Sequence, residues 1–132
     1  MKIRFMQSIL KNNIVGQESS YVISFMGSSV TAGHDSKPQL DAYPVLVGEY
    51  LSEPFKAAGV ELITRNHALG NNPCNPYDVC VSAIVGDDAD MVHWEQSYNC
   101  FDQPMYEQFA RQASFLPKKP LVVYSDSSTP NW

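Results

Sequence analysis

The stretch that most restricts the fold is the apolar run Tyr21-Val22-Ile23-Ser24-Phe25-Met26, which breaks into Gly27-Ser28-Ser29 and meets a second glycine at Gly33. A run this short, rich in β-branched and aromatic residues, suits a strand covered on both faces. Its break delivers a serine hydroxyl to the carboxyl end of a strand, where open α/β sheets hold their chemistry. Two later segments end in the same way. Glu61 to His67 runs into Leu69-Gly70-Asn71, and Ala89 to Glu95 runs into Ser97-Tyr98-Asn99. In one parallel sheet those ends bring a Ser, a Gly and an Asn side by side.

The rest of the chain alternates to match. After the first strand, Gly33 to Gln39 reads as a polar loop. Asp41 then caps a helix, with Pro44 in its first turn. Tyr43, Val47, Tyr50 or Leu51, Phe55 and Ala58 fall on one face of that helix, and Gly59 ends it. Pro54 should kink or break its later part. A second strand covers Glu61 to Asn66. A loop rich in Asn, Pro and Cys leads to a short helix from Pro76 to Gly86, carrying Tyr77, Cys80, Val81 and Ile84 inward. A third strand covers Asp90 to Glu95. Asp102 and Pro104 open another helix, with Tyr106, Phe109, Ala110 and Ala113 inward, and Pro120 to Ser125 is a fourth strand. Strands alternating with helices at this spacing make βαβ units, and right-handed crossovers stack them as a three-layer α/β/α sandwich.

The trio at the strand ends resembles the SGNH (GDSL-type) hydrolase superfamily. That family's first block reads Gly-Asp-Ser-x-x-x-Gly, and Gly27, Ser29 and Gly33 fall in register with it. Its second block centres on a glycine, matched by Gly70 in Arg65-Asn66-His67-Ala68-Leu69-Gly70. Its third supplies an asparagine, matched by Asn99 in Trp94-Glu95-Gln96-Ser97-Tyr98-Asn99. Tyr43-Pro44-Val45-Leu46-Val47 also looks like the family's first helix, and the resemblance runs from about residue 20 to about residue 125. It implies a flavodoxin-like parallel sheet in the order 2-1-3-4, an incomplete version of the family's usual five strands. Ser29 would be the nucleophile, with Gly70 and Asn99 in the oxyanion hole and no cofactor. The sequence departs from the family at Ser28, where the family has Asp, and at Cys100, where it usually has Asp. The family's closing Asp-x-x-His block is absent.

Acyl transfer needs a nucleophile, a base and donors aimed at the developing oxyanion. The N–H groups of Ser29 and Gly70 and the amide of Asn99 would supply the donors. The base is the open position. His34, beside Asp35, is the weak candidate; His67 and His93 read as structural histidines in or near strands. Trp94, Glu95, Gln96 and Tyr98 could line the pocket, with Trp94 as wall or core. Glu95 in particular is a partnered buried acid or a polar contact for substrate.

Charge and cysteine content narrow the partners. The chain has 132 residues and a net charge of −5. No Lys or Arg occurs between Arg65 and Arg111, a stretch that carries acids from Asp78 to Glu107. A nucleic-acid surface needs clustered basic residues, so this chain does not fit one. No run reaches the roughly 18 apolar residues of a membrane span, and the first residues do not read as a secretory signal. Residues 1–19 form a separate basic arm with Lys2, Arg4 and Lys11. Ile3, Met6, Ile9 and Leu10 could share one helical face there. That arm reads as a docking segment, a targeting remnant or a plain strap, ahead of the domain at 20–132.

Cys74 and Cys80 flank a short link and could pair, or all three cysteines could be buried thiols. C-x5-C with scattered histidines is a poor metal site. Two functions from different classes remain. One is a serine esterase acting on carboxylic esters, acylated carbohydrates among them. The other is an inactive SGNH-like structural or binding subunit, with a protein partner at an open sheet edge.

Overall fold

The computed structural model describes residues 2–16, 19–34, 36, 42–96 and 103–125. In chain order the elements are α1 (Lys2–Val15), β1 (Ser20–Gly27), α2 (Ser29–Ala32), α3 (Tyr43–Ala57), β2 (Glu61–Asn66), α4 (Cys74–Tyr77), α5 (Val81–Val85), β3 (Met91–Glu95), α6 (Gln103–Ser114) and β4 (Leu121–Ser125). The strands form one parallel sheet in the order β2-β1-β3-β4. The parallel sheet is what the alternating pattern predicts, and its order is the one the family resemblance implies.

Side chains alternate across a strand, and β1 uses both faces. Tyr21, Ile23 and Phe25 point into one layer, where Val60 joins them with Phe5 and Ile9 of α1 and Tyr43, Val47 and Phe55 of α3. Met26 belongs to the other layer with Val92 and Trp94 of β3, Cys74 of α4, Val81 and Val85 of α5, and Phe109 and Ala113 of α6. Every residue from Tyr21 to Gly27 is buried, whereas the outer strands β2 and β4 are half-buried. Trp94 lies in the core, with its ring centroid 4.2 Å from that of Phe109. Tyr106 and Tyr124 stand edge-on to the Trp94 ring. At the amino-terminal end of the sheet, Asp90 Oδ2 accepts hydrogen bonds from Val22 N at 3.0 Å and Lys118 Nζ at 2.9 Å. Leu121 N donates to Asp90 O at 3.0 Å, which ties β1, β3 and β4 together at that end.

Several local expectations are corrected. Pro54 does not end its helix: α3 runs on to Ala57. The ring removes a hydrogen bond to the carbonyl of Tyr50, a residue 77% exposed, where water can replace it. Tyr50 and Leu51 both lie on the exposed side of α3, and Ala110 lies on the exposed side of α6. The expected single helix after Pro76 is split into α4 and α5, with a cis Asn75–Pro76 peptide inside α4. The arm at residues 2–15 is helical, but its inward contacts are Phe5 and Ile9, while Ile3, Met6 and Leu10 are exposed. Cys80 is free and exposed while Cys74 is disulfide-bonded, so the Cys74–Cys80 pair is not made. The caps Asp41 and Asp102 lie outside the described residues.

Candidate active site

Ser29 stands where the strand-to-helix break predicts, as the first residue of α2, directly after β1. Its N–H is one of the orphan donors of a helix start. Ser28 is the cap: its side chain accepts from Val30 N at 3.3 Å. Gly27 must lack a side chain, because a β-carbon there would meet Thr31 Oγ1 at 2.3 Å and the carbonyl of Glu95 at 2.7 Å.

The neighbouring strands hand their loops to this turn by extending the ladder. Past β2, His67 N donates to Phe25 O at 2.8 Å and Leu69 N to Gly27 O at 3.2 Å. That brings Gly70 level with the turn. Asn66 closes the same corner, with Nδ2 donating to Thr31 O at 2.9 Å and Oδ1 accepting from Ala68 N at 3.1 Å. On the β3 side, Ser28 N donates to Glu95 O at 2.9 Å. Among the described residues, neither Ser29 N nor Gly70 N donates to a backbone carbonyl in these turns and loops. Asn99, the third expected oxyanion donor, and Asp35, the expected partner of His34, lie outside the described residues, as do Tyr98 and Cys100.

His34 lies at this edge. Its backbone N–H donates to Ser29 O at 3.1 Å. Its ring is packed against the bare Cα of Gly70, with Cε1 2.0 Å from where a β-carbon would sit. The other two histidines are elsewhere. His93 is buried within β3, with Nδ1 3.1 Å from Tyr43 Oη and Nε2 3.0 Å from Ser125 Oγ. Burial lowers its pKa, against a smaller opposing pull from Glu95. His67 follows β2, and burial, helped by the charge of Arg65, lowers its pKa too.

Beneath Ser29 lies a polar chain that the sequence reading did not assemble. Glu95 is 3% exposed. Its Oε2 accepts from Ser28 Oγ at 2.7 Å, Thr31 Oγ1 at 3.0 Å and Ser28 N at 3.3 Å. Thr31 Oγ1 is 2.9 Å from Tyr43 Oη, which leads on to His93 and Ser125. Tyr43 has its pKa pushed up to about 12, first by burial and then by the field of Glu95, against a lowering contact with Thr31. Gln96, a candidate pocket-lining residue in the sequence, is buried, and its Nε2 donates to Asn72 Oδ1 at 3.1 Å. The sequence signal for this chain was a pair of hydroxyls, Ser28 and Thr31, three residues apart, opposite a strand that ends in Glu.

A hollow of about 560 Å³ opens between Ser52, Lys56 and Leu62. It lies at the amino-terminal end of β2, away from Ser29, so the carboxyl-end rule places the chemistry elsewhere.

No family model matches the chain, and no curated protein matches it. Two solved structures share its fold. One is the crystal structure of a two-domain esterase (CEX) active on acetylated mannans, 22% identical over 90% of this chain and 33% of that chain, with a TM-score of 0.67. The other is that esterase co-crystallized with mannopentaose, 21% identical over 92% of this chain and 34% of that chain, with a TM-score of 0.68. The chain spans about a third of the length of the esterase it resembles. At this identity the likeness is one of fold.

Proposed function

We propose that the chain carries the nucleophile of a serine esterase of the SGNH type, which cleaves carboxylic esters through an acyl-Ser29 intermediate. The observation that carries this reading is the meeting of three groups at one sheet edge. Ser29 opens α2, the His34 N–H donates back to Ser29 O, and the His34 ring rests on the bare Cα of Gly70, whose neighbour Leu69 is bonded to Gly27. Acylated carbohydrate is the substrate class, since the esterase with the shared fold acts on acetylated mannans.

In this mechanism Ser29 Oγ attacks the ester carbonyl carbon and gives up its proton to His34. The oxyanion is held by the N–H groups of Ser29 and Gly70 and the amide of Asn99. Collapse breaks the bond to the alcohol, which takes the proton from His34. Water then attacks the acyl-serine, and the acid leaves with Ser29 restored. His34 is the base in this scheme because His93 has both ring nitrogens beside hydroxyls and is buried.

The test is labelling with a fluorophosphonate, read by intact mass, alongside hydrolysis of p-nitrophenyl acetate. One adduct on Ser29, absent from Ser29→Ala and slowed in His34→Ala, is expected. An adduct that persists in Ser29→Ala would sink the mechanism. A folded protein that takes no label would favour the second reading, an inactive binding or structural subunit on the same framework.

A further inference from the structure

We infer that Glu95 is the positioning residue for Ser29: its buried carboxylate grips the turn on both sides of the nucleophile and sets where the serine hydroxyl points. The inference rests on the reading of Ser29 as nucleophile. One oxygen, Oε2, takes Ser28 Oγ at 2.7 Å and Thr31 Oγ1 at 3.0 Å, the residues immediately before and two after Ser29. The Ser28 amide lies 3.3 Å from the same oxygen and 2.9 Å from the Glu95 carbonyl. Ser28, Thr31 and Glu95 are all buried. Hydrogen bonds to a carboxylate in such a setting are among the strong ones.

Each donor has a reason to be there. A buried carboxylate without donors carries a large desolvation cost, and the two hydroxyls and the amide offset it. Gly27 lets the turn come close enough, since any β-carbon would strike Thr31 and the Glu95 backbone. Tyr43 Oη braces Thr31 from behind at 2.9 Å, so the hydroxyl that reaches Glu95 is itself held. The negative charge that supports the turn therefore enters from β3, and position 28 supplies a donor.

That arrangement makes a specific demand on position 28. An aspartate placed there would set a second carboxylate against Glu95, and two carboxylates sharing a buried site cannot both ionise. Restoring the family's Asp in this chain is thus harmful, and a simultaneous change of Glu95 to a neutral amide relieves it.

The experiment compares Glu95→Gln, Glu95→Ala, Ser28→Ala, Ser28→Asp and the double variant Ser28→Asp/Glu95→Gln in the whole chain. One readout is the rate of fluorophosphonate labelling at Ser29. The other is hydrogen–deuterium exchange of residues 27–33, which needs no activity. Glu95→Ala should slow labelling by about 100-fold, the cost of a nucleophile displaced by about an ångström, and raise exchange in 27–33 while β1 stays protected. Glu95→Gln keeps an acceptor and should recover most of the rate. Ser28→Asp should label more slowly as pH rises, and the double variant should lose that pH dependence. Unchanged labelling and exchange in Glu95→Ala would overturn the inference, as would a double variant no better than Ser28→Asp. If Glu95→Ala does not fold, Ser28→Ala and the double variant decide. If the wild type takes no label, the esterase reading fails by itself, and exchange in 27–33 still decides whether Glu95 sets the turn.

Discussion

The imidazole of His34 occupies the volume that a β-carbon on residue 70 would fill, with its Cε1 2.0 Å from that point. A side chain on a loop after α2 and a glycine on a loop after β2 are therefore fitted to each other. The fit brings a titratable ring to the edge where Ser29 stands.

If Ser29 is the nucleophile as proposed, Gly70→Ala should act on ester cleavage far more than on stability. The added methyl displaces an exposed ring, which costs little folding energy, but it spoils the approach of a substrate oxygen to the Gly70 N–H. A drop of at least about 100-fold in ester cleavage is expected, the size of one lost oxyanion donor, with the displaced His34 ring adding to it. The melting temperature should stay near that of the wild type, and parallel kinetics and calorimetry would check both halves.

Thr31→Val is expected to destabilise the fold by about 1–3 kcal/mol, because it leaves Glu95 and Tyr43 each short of a buried partner. Tyr43→Phe should cost less, about 1 kcal/mol, since the contacts it removes, with Thr31 and His93, are between neutral groups and Thr31 keeps its bond to the Glu95 carboxylate. Urea unfolding of the two variants, with the order Thr31 over Tyr43, is the check.

Acid should weaken the protein through its buried histidines. His93 and His67 have folded pKa values below the ordinary 6.5, mainly from burial. The unfolded chain thus binds more protons than the folded one as the pH falls below about 6.5. The stability these groups contribute is full above that value and is lost as the pH drops toward their folded pKa values. Urea midpoints taken from pH 7.5 down to 5 should fall, and the slope should flatten in His93→Gln. A slope identical to wild type in that variant would remove His93 as a source.

Truncating Trp94 probes the opposite layer. Trp94 is fully buried against Phe109, so Trp94→Ala should cost about 3–5 kcal/mol. By contrast, Asp88→Asn breaks an ion pair with Arg65 whose side chains are 34% and 52% exposed, and its cost should stay under about 1 kcal/mol and shrink with salt. Denaturation of the two variants at low and high ionic strength would show the contrast.

The sheet was legible because its signals are local. Tyr21 to Met26 and Asp90 to Glu95 are short apolar runs ending in turn residues, and parallel pairing of such runs follows from the helices between them. Helix interiors were read less well where a single residue was given too much weight. Pro54 reads as a kink or a break, yet α3 continues past it, because one missing hydrogen bond on an exposed face does not outweigh the packing of Val47 and Phe55 on the same helix. Spacing alone misplaces the arm's inner face, because aromatic contacts decide its orientation: Phe5 packs at a tilt against Phe55 and meets Tyr21 edge-on. At the site, the placing of Ser29 came from the chain's own turn chemistry. The roles of Thr31, Tyr43 and Glu95 did not, because their meeting depends on contacts between residues 12 to 64 positions apart.

Gly27 has a further consequence, which concerns kinship more than catalysis. Its missing side chain lets α2 start hard against β3, and a methyl group there would collide with Thr31 and with backbone. Position 28, by comparison, needs only a group that can meet the Glu95 carboxylate. The two positions therefore differ in tolerance: residue 27 has no room for a side chain, whereas residue 28 is set by its partner on β3. Distant relatives of this chain should be sought by a glycine two residues before the serine and a glutamate closing the third strand. A search keyed to an aspartate beside the serine would pass them by.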